Sequence, residues 1–199
     1  MDTWVWILIG VIVLAVIAVV VIAVARQHRR TELRESFGAE YERTIAREGD
    51  VRRGESDLIA RRERRAHLDI RPLSPSSRDA YADSWEQTQG RFVDNPAVAL
   101  AQADALIIAV MEERGYPMND FERRAEDISV DHPDVVQHYR AAHDISTRLD
   151  DDDDDAAAGP TMSHVSTEDM RQGLVHYRAL FQELLEPDHE QPRRDRAAS

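Results

Sequence analysis

The chain is predicted to be all-α: a single N-terminal transmembrane helix, a juxtamembrane helical segment, then a compact bundle of about four to five helices. Three observations carry this prediction. Residues Trp4 to Ala25, WVWILIGVIVLAVIAVVVIAVA, form an uncharged apolar run of 22 residues. Beyond it, apolar side chains recur at spacings of three and four, the period of a one-sided helix. Nowhere does a run of alternating β-branched residues suggest a strand.

The apolar run spans roughly 33 Å as a helix, enough for a hydrocarbon core of about 30 Å. Trp4 and Trp6 lie at one end, where amphipathic rings favour the headgroup level. Arg26, Arg29 and Arg30 follow at the other end, whereas the N-terminal flank carries only Asp2. The positive-inside rule then puts the N-terminus outside and the C-terminal domain in the cytoplasm, with the cell membrane as the location. The alternative is a cleaved signal peptide, since Ala23-Val24-Ala25 matches a small-x-small cleavage pattern. A signal peptide has a basic start and a shorter apolar stretch, so the anchor is favoured over cleavage.

Composition removes several chemistries. There is no cysteine, hence no disulfide framework, thiolate zinc site or cysteine nucleophile. All 25 basic residues are arginine, which excludes a Schiff-base lysine and the lysine of a phosphate-binding loop. Charge is unevenly spread: residues 26–71 hold 13 arginines against 10 acidic residues, and residues 72–199 hold 12 against 27. An acidic distal domain argues against nucleic acid as its partner, because phosphate binding rests on cationic surface.

Four segments follow: an anchor over 1–30, a basic helical stalk or hairpin over 31–71, an acidic helical domain over 72–186, and a disordered tail over 187–199. Residues 31–48 read as a helix with Leu33, Phe37, Tyr41 and Ile45 on one stripe. Gly49-Asp50 is a break, and 51–67 continue as a polar helix whose arginine cluster 61–65 either touches anionic headgroups or lies on a solvated helix face laced with Arg–Glu pairs, the reading that the interleaved Glu55, Asp57 and Glu63 favour. Ser74 is the expected N-cap of the next helix with Pro75 at its first position, and Tyr81, Trp85 and Phe92 are its expected buried residues. Asn95 and Pro96 open the most apolar helix of the domain, expected to be central, with Leu100, Ala103, Leu106, Ile107, Val110 and Met111 on one face. Gly115 closes it. Asn119 is the expected cap of a short helix carrying Phe121, Ala125 and Ile128.

The segment 129–144, SVDHPDVVQHYRAAHD, is the densest in reactive side chains. Asp131 reads as the N-cap of a helix running to about Leu149, with Val135, Tyr139, Ala142 and Leu149 buried and Val136 and Ile145 at the edges. His138 and His143 then lie on opposite flanks, about 140° apart, and His132 is roughly 16 Å along the axis from His143. None of these can share an ion within the helix, so any metal or acid–base site needs partners from elsewhere. Six aspartates, 150–155, follow; an anionic run opposes the dipole at a helix C-terminus, so 150–165 is expected to be a disordered linker. Ser166 with Asp169 forms a capping signature for the last helix, whose stripe is Met170, Leu174, Tyr177, Phe181 and Leu184. The tetrapeptide HYRA occurs twice, at 138–141 and 176–179. It is a duplicated helix, two faces of one docking surface, or a coincidence of four residues.

The stretches 68–96, 113–145 and 166–186 together resemble an uncharacterised group of small proteins from high-GC actinobacteria with one N-terminal membrane span and a helical domain. The resemblance implies no activity and transfers no functional residue. The expected function is therefore a membrane-anchored cytoplasmic module for protein interaction or scaffolding. Its partners would be the lipid bilayer and a protein or a second copy of itself, with no cofactor, no nucleic acid and no specific small molecule. No catalytic motif is recognisable. Surface candidates are Asp131, His132, His138, Arg140, His143, His176 and Arg178. The competing readings are a His/Asp metal-binding or enzymatic domain and an envelope or secreted protein.

Overall fold

The computed structural model describes residues 3–155 and 165–186, without the side chains of 3, 5–9 and 150–155. The tail 187–199, most of the expected linker and the Trp6 side chain thus lie outside the described residues. Those residues form eight helices and no strand: α1 Thr3–Phe37, α2 Ala39–Glu48, α3 Val51–Ala66, α4 Pro75–Arg91, α5 Pro96–Arg114, α6 Phe121–Asp131, α7 Val136–Asp155 and α8 Thr167–Leu185. They pack as two units, one through Ala60 and one from Arg61 onward, so α3 contributes to both.

In the first unit α1 is long and apolar enough to cross a membrane. Its large side chains from Val11 to Val24 are at least half exposed on every side of the helix. The stripe Leu33, Phe37, Tyr41 is buried as expected, but it does not belong to one helix. The chain breaks at Gly38, whose φ of 50° is accessible to glycine without strain, and again at Gly49, φ 67°. These turns fold the segment back on itself. Arg30 Nε donates to Glu55 Oε1 at 2.9 Å, whereas 25 residues of straight helix would separate them by about 37 Å. The Tyr41 hydroxyl donates to the same carboxylate at 2.9 Å, and Arg47 reaches Asp57 at 3.0 Å. Gly54 permits the close approach: a Cβ there would stand 2.5 Å from Ile45 Cδ1 and 3.1 Å from Ile45 Cα.

The second unit is organised by α5, which packs on α4, α7 and α8. Both expected N-termini are present. Ser74 accepts from Ser77 N and Asn95 accepts from Val98 N, each followed by proline. Leu100, Ala103, Ile107, Val110 and Met111 of α5 are fully buried, with Leu106 at the margin. Trp85 is buried and stacks on Phe181 with ring centroids 4.6 Å apart; Tyr81 and Phe92 are only partly covered. Arg114 is buried at the end of α5 and donates to the Leu184 carbonyl at 2.9 Å.

Several boundaries differ from expectation. Asp120, not Asn119, caps α6 through its bond from Arg123 N. Asp131 caps nothing at an N-terminus: it is the last residue of α6, and α7 starts only at Val136 after a turn over 133–135. Shifting that start puts Val136, Tyr139, Ala142 and Ile145 in the core and leaves Val135 and Leu149 partly covered. At its other end α7 continues past Leu149 to Asp155. Once a helix is nucleated each further residue adds a hydrogen bond, and aspartate costs less than about 0.7 kcal/mol per position in propensity.

The capping signature of α8 is formed as expected: Ser166 accepts from Asp169 N, and Asp169 accepts from Ser166 N and Oγ. The Ser166 hydroxyl holds the Asp169 carboxyl below its ordinary value, and Arg171 with Gln172 holds Glu168 down at about 2. A carboxylate depressed in the fold stabilises above its unfolded pKa, and that contribution fades as pH falls through the folded value. Protection of the amides in the first turn of α8, taken relative to their intrinsic exchange rates, is therefore expected to fall as pH drops from 4.5 to about 2. Ser166→Ala is expected to cost about 1 kcal/mol at neutral pH, read from a guanidinium unfolding midpoint.

Candidate functional site

The two HYRA segments meet. Among the described residues α7 and α8 share the most extensive contact between helices, and the repeated tyrosine is fully buried in each. Tyr139 and Tyr177 sit 6.5 Å apart between centroids at 57°, within the range of edge-to-face aromatic pairs. Their hydroxyls are held by different partners. Arg124 Nε donates to the Tyr139 oxygen at 3.3 Å, while the Tyr177 oxygen lies 3.1 Å from Ser146 Oγ. Burial raises the pKa of both phenols, and the Asp104 carboxylate on α5 pushes each further up. Both are neutral hydroxyls at any physiological pH. Asp104, Arg124 and Ser146 were not signalled by the sequence, because they come from three helices and share no spacing.

Beside the tyrosines, the repeated histidines face each other. His138 Nδ1 lies 2.8 Å from His176 Nδ1, with ring centroids 5.1 Å apart and planes at 31°. Such a contact requires one ring to carry its proton on Nδ1 and the other to offer a lone pair there. Burial, then the charge His138 would carry, lowers the pKa of His176. Two protonated rings at hydrogen-bond distance would set two cations side by side, which disfavours the doubly charged pair.

The likeness between the two segments stops there. Arg140 is buried and donates to Glu122 at 2.7 Å, whereas Arg178 is exposed. Asp131 accepts from the Tyr116 hydroxyl at 2.7 Å and from Arg65 Nε, while Asp169, the residue in register with it, is the third helical residue of a capping box with Ser166. Burial and then Asp131 raise the Tyr116 pKa strongly. His132 is nearly buried, with Nδ1 3.1 Å from Glu183. His143 stacks on Phe121 at 3.5 Å on the side of an open groove that also includes Asp120, Asp144, Thr147 and Arg148. Of the four candidate histidines only His138 and His176 converge. Among the described residues no group of three or more His, Cys, Asp or Glu is placed to hold a metal ion.

The arginine cluster of α3 has acidic partners within the second unit. Arg61 is fully buried 3.4 Å from Glu126, Arg64 lies 3.1 Å from the same carboxylate, and Arg65 pairs with Asp131. These three differ from the expected solvated face: Arg61 is buried, and the carboxylates they meet come from α6 and not from the interleaved Glu55, Asp57 and Glu63. At the other end of the chain, Trp4, Arg26 and Arg29 are exposed, and Arg30 is tied to Glu55.

No protein-family model matches this chain, and no curated protein or solved structure is detectably similar to it.

Proposed function

We propose that the protein is a single-pass membrane protein that holds an acidic helical bundle at the cytoplasmic face, where the bundle serves as a protein-interaction module. The observation that carries this reading is the surface of α1. Val11, Ile12, Val13 and Leu14 are all at least half exposed, and at about 100° per residue these four consecutive positions lie around the whole circumference. An amphipathic surface helix would hide one stripe; a helix greasy on all sides fits a lipid surround. Arg26 and Arg29, exposed at its C-terminal end, favour a cytoplasmic bundle. The interaction role is supported by the excess of acidic over basic residues across 72–199.

Orientation is tested by exploiting the absence of cysteine. Val93, 85% exposed after α4, is replaced by cysteine and challenged with a membrane-impermeant maleimide. Labelling is expected only after cells are permeabilised. Labelling in intact cells would reverse the topology, and an N-terminal mass lacking residues 1–25 would replace the anchor with a secreted form. Ile17→Arg is expected to disfavour insertion by about 2.5–3.5 kcal/mol, seen as a rise in the carbonate-extractable fraction. Cross-linking of the full chain in native membranes is expected to capture a protein partner or a second copy.

A further inference from the structure

The geometry points to a two-imidazole chelating site for a divalent first-row transition cation, formed by Nδ1 of His138 and Nδ1 of His176. These are the repeated histidines, brought from two helices 38 residues apart to a separation of 2.8 Å. Each is followed by a fully buried tyrosine whose hydroxyl is bonded, so the backbone carrying each imidazole is fixed by the core. Neither His138 nor His176 is engaged by a carboxylate in the way that Glu183 engages His132.

The spacing suits a metal. Two nitrogens each about 2.05 Å from a tetrahedral ion stand about 3.3 Å apart, and adding about 1.1 Å from nitrogen to ring centre puts the centroids about 5.1 Å apart. The observed centroid separation is 5.1 Å. An ion can therefore replace the shared proton by tilting the rings about their present centres, opening the nitrogens by about half an ångström without moving either helix. The ring that carries hydrogen on Nδ1 shifts it to Nε2, so the neutral pair releases no net proton on binding. Water completes the coordination, because no third His, Cys, Asp or Glu among the described residues converges on the pair. Imidazole donors select zinc, copper or nickel over magnesium and calcium.

The test uses the full, tag-free chain in detergent micelles, titrated with zinc chloride while the histidine ring ¹⁵N resonances are followed. One equivalent is expected to bind, shifting His138 and His176 together, and magnesium chloride is expected to shift neither. H138Q or H176Q is expected to weaken zinc binding roughly tenfold or more, whereas H143Q leaves it unchanged. Shifts confined to His132 or His143 would overturn the assignment. So would zinc binding that survives the double variant H138Q/H176Q, or a wild-type chain that takes up no zinc. Because the resonance assignment is made on the wild-type protein, a variant that folds poorly does not remove the test.

Discussion

Trp85→Ala is expected to destabilise the second unit by about 3–5 kcal/mol, the largest single effect in the molecule. The indole is 5% exposed and lies between α4 and the core, stacked on Phe181 of α8. Truncation removes the ring pair together with the apolar area it covers, and it leaves a cavity that helices pinned by their own caps cannot close. Trp85→Phe separates the causes. It retains the stack and deletes an indole N–H that has no partner among the described residues. It is expected to cost well under half as much. The measurement is the guanidinium midpoint by far-UV circular dichroism. A phenylalanine variant as unstable as alanine would show that ring stacking is not what holds α4 in place.

Gly115→Ala is expected to cost about 2–4 kcal/mol, for two separate reasons. Its φ of 97° lies where L-residues with a Cβ are strained. A Cβ would also meet the backbone carbonyl oxygen of Asp69 at 2.6 Å, and a backbone atom cannot rotate aside as a side chain can. That closeness is part of the fold, since Arg71 N donates to Arg114 O at 2.8 Å in the same crossing. Displacing the crossing disturbs Arg114, whose guanidinium reaches across to Leu184 O. The loss is expected in the same unfolding midpoint. By contrast Gly90, with open space around its Cα, is expected to accept alanine with a gain, by up to about 1 kcal/mol.

What could be read from the chain beforehand follows a pattern. Ser74–Pro75, Asn95–Pro96, Gly115 and Ser166–Asp169 were legible because caps act within four residues, and their partners are backbone groups of the same turn. The α5 face was legible because its apolar residues crowd one side. Gly38 was missed because the four-residue stripe Leu33–Phe37–Tyr41 runs through it unbroken. A periodic pattern does not show that the backbone has changed direction in the middle. Asp131 was misread for a related reason. An aspartate before His-Pro looks like an N-cap, but Tyr116 and Arg65, distant in sequence, hold it as the end of α6.

The histidines show the limit most clearly. Within one helix, spacing correctly keeps His138 apart from His143, because both sit on the same rigid cylinder. It cannot bring His138 to His176, since that meeting depends on how α7 lies against α8.

Local chemistry therefore settled the helical class, most helix ends and the long apolar N-terminal helix. Those features depend on neighbours within a turn or on bulk apolarity, and both are written in consecutive residues. Tertiary packing alone decided that the basic segment doubles back through Glu55. It also decided that Arg61, Arg64 and Arg65 meet carboxylates of α6, and that two copies of one tetrapeptide place their imidazoles in contact. Each of these joins residues far apart in the chain, and the free energy that selects them is the burial of whole helix faces, which no local pattern encodes.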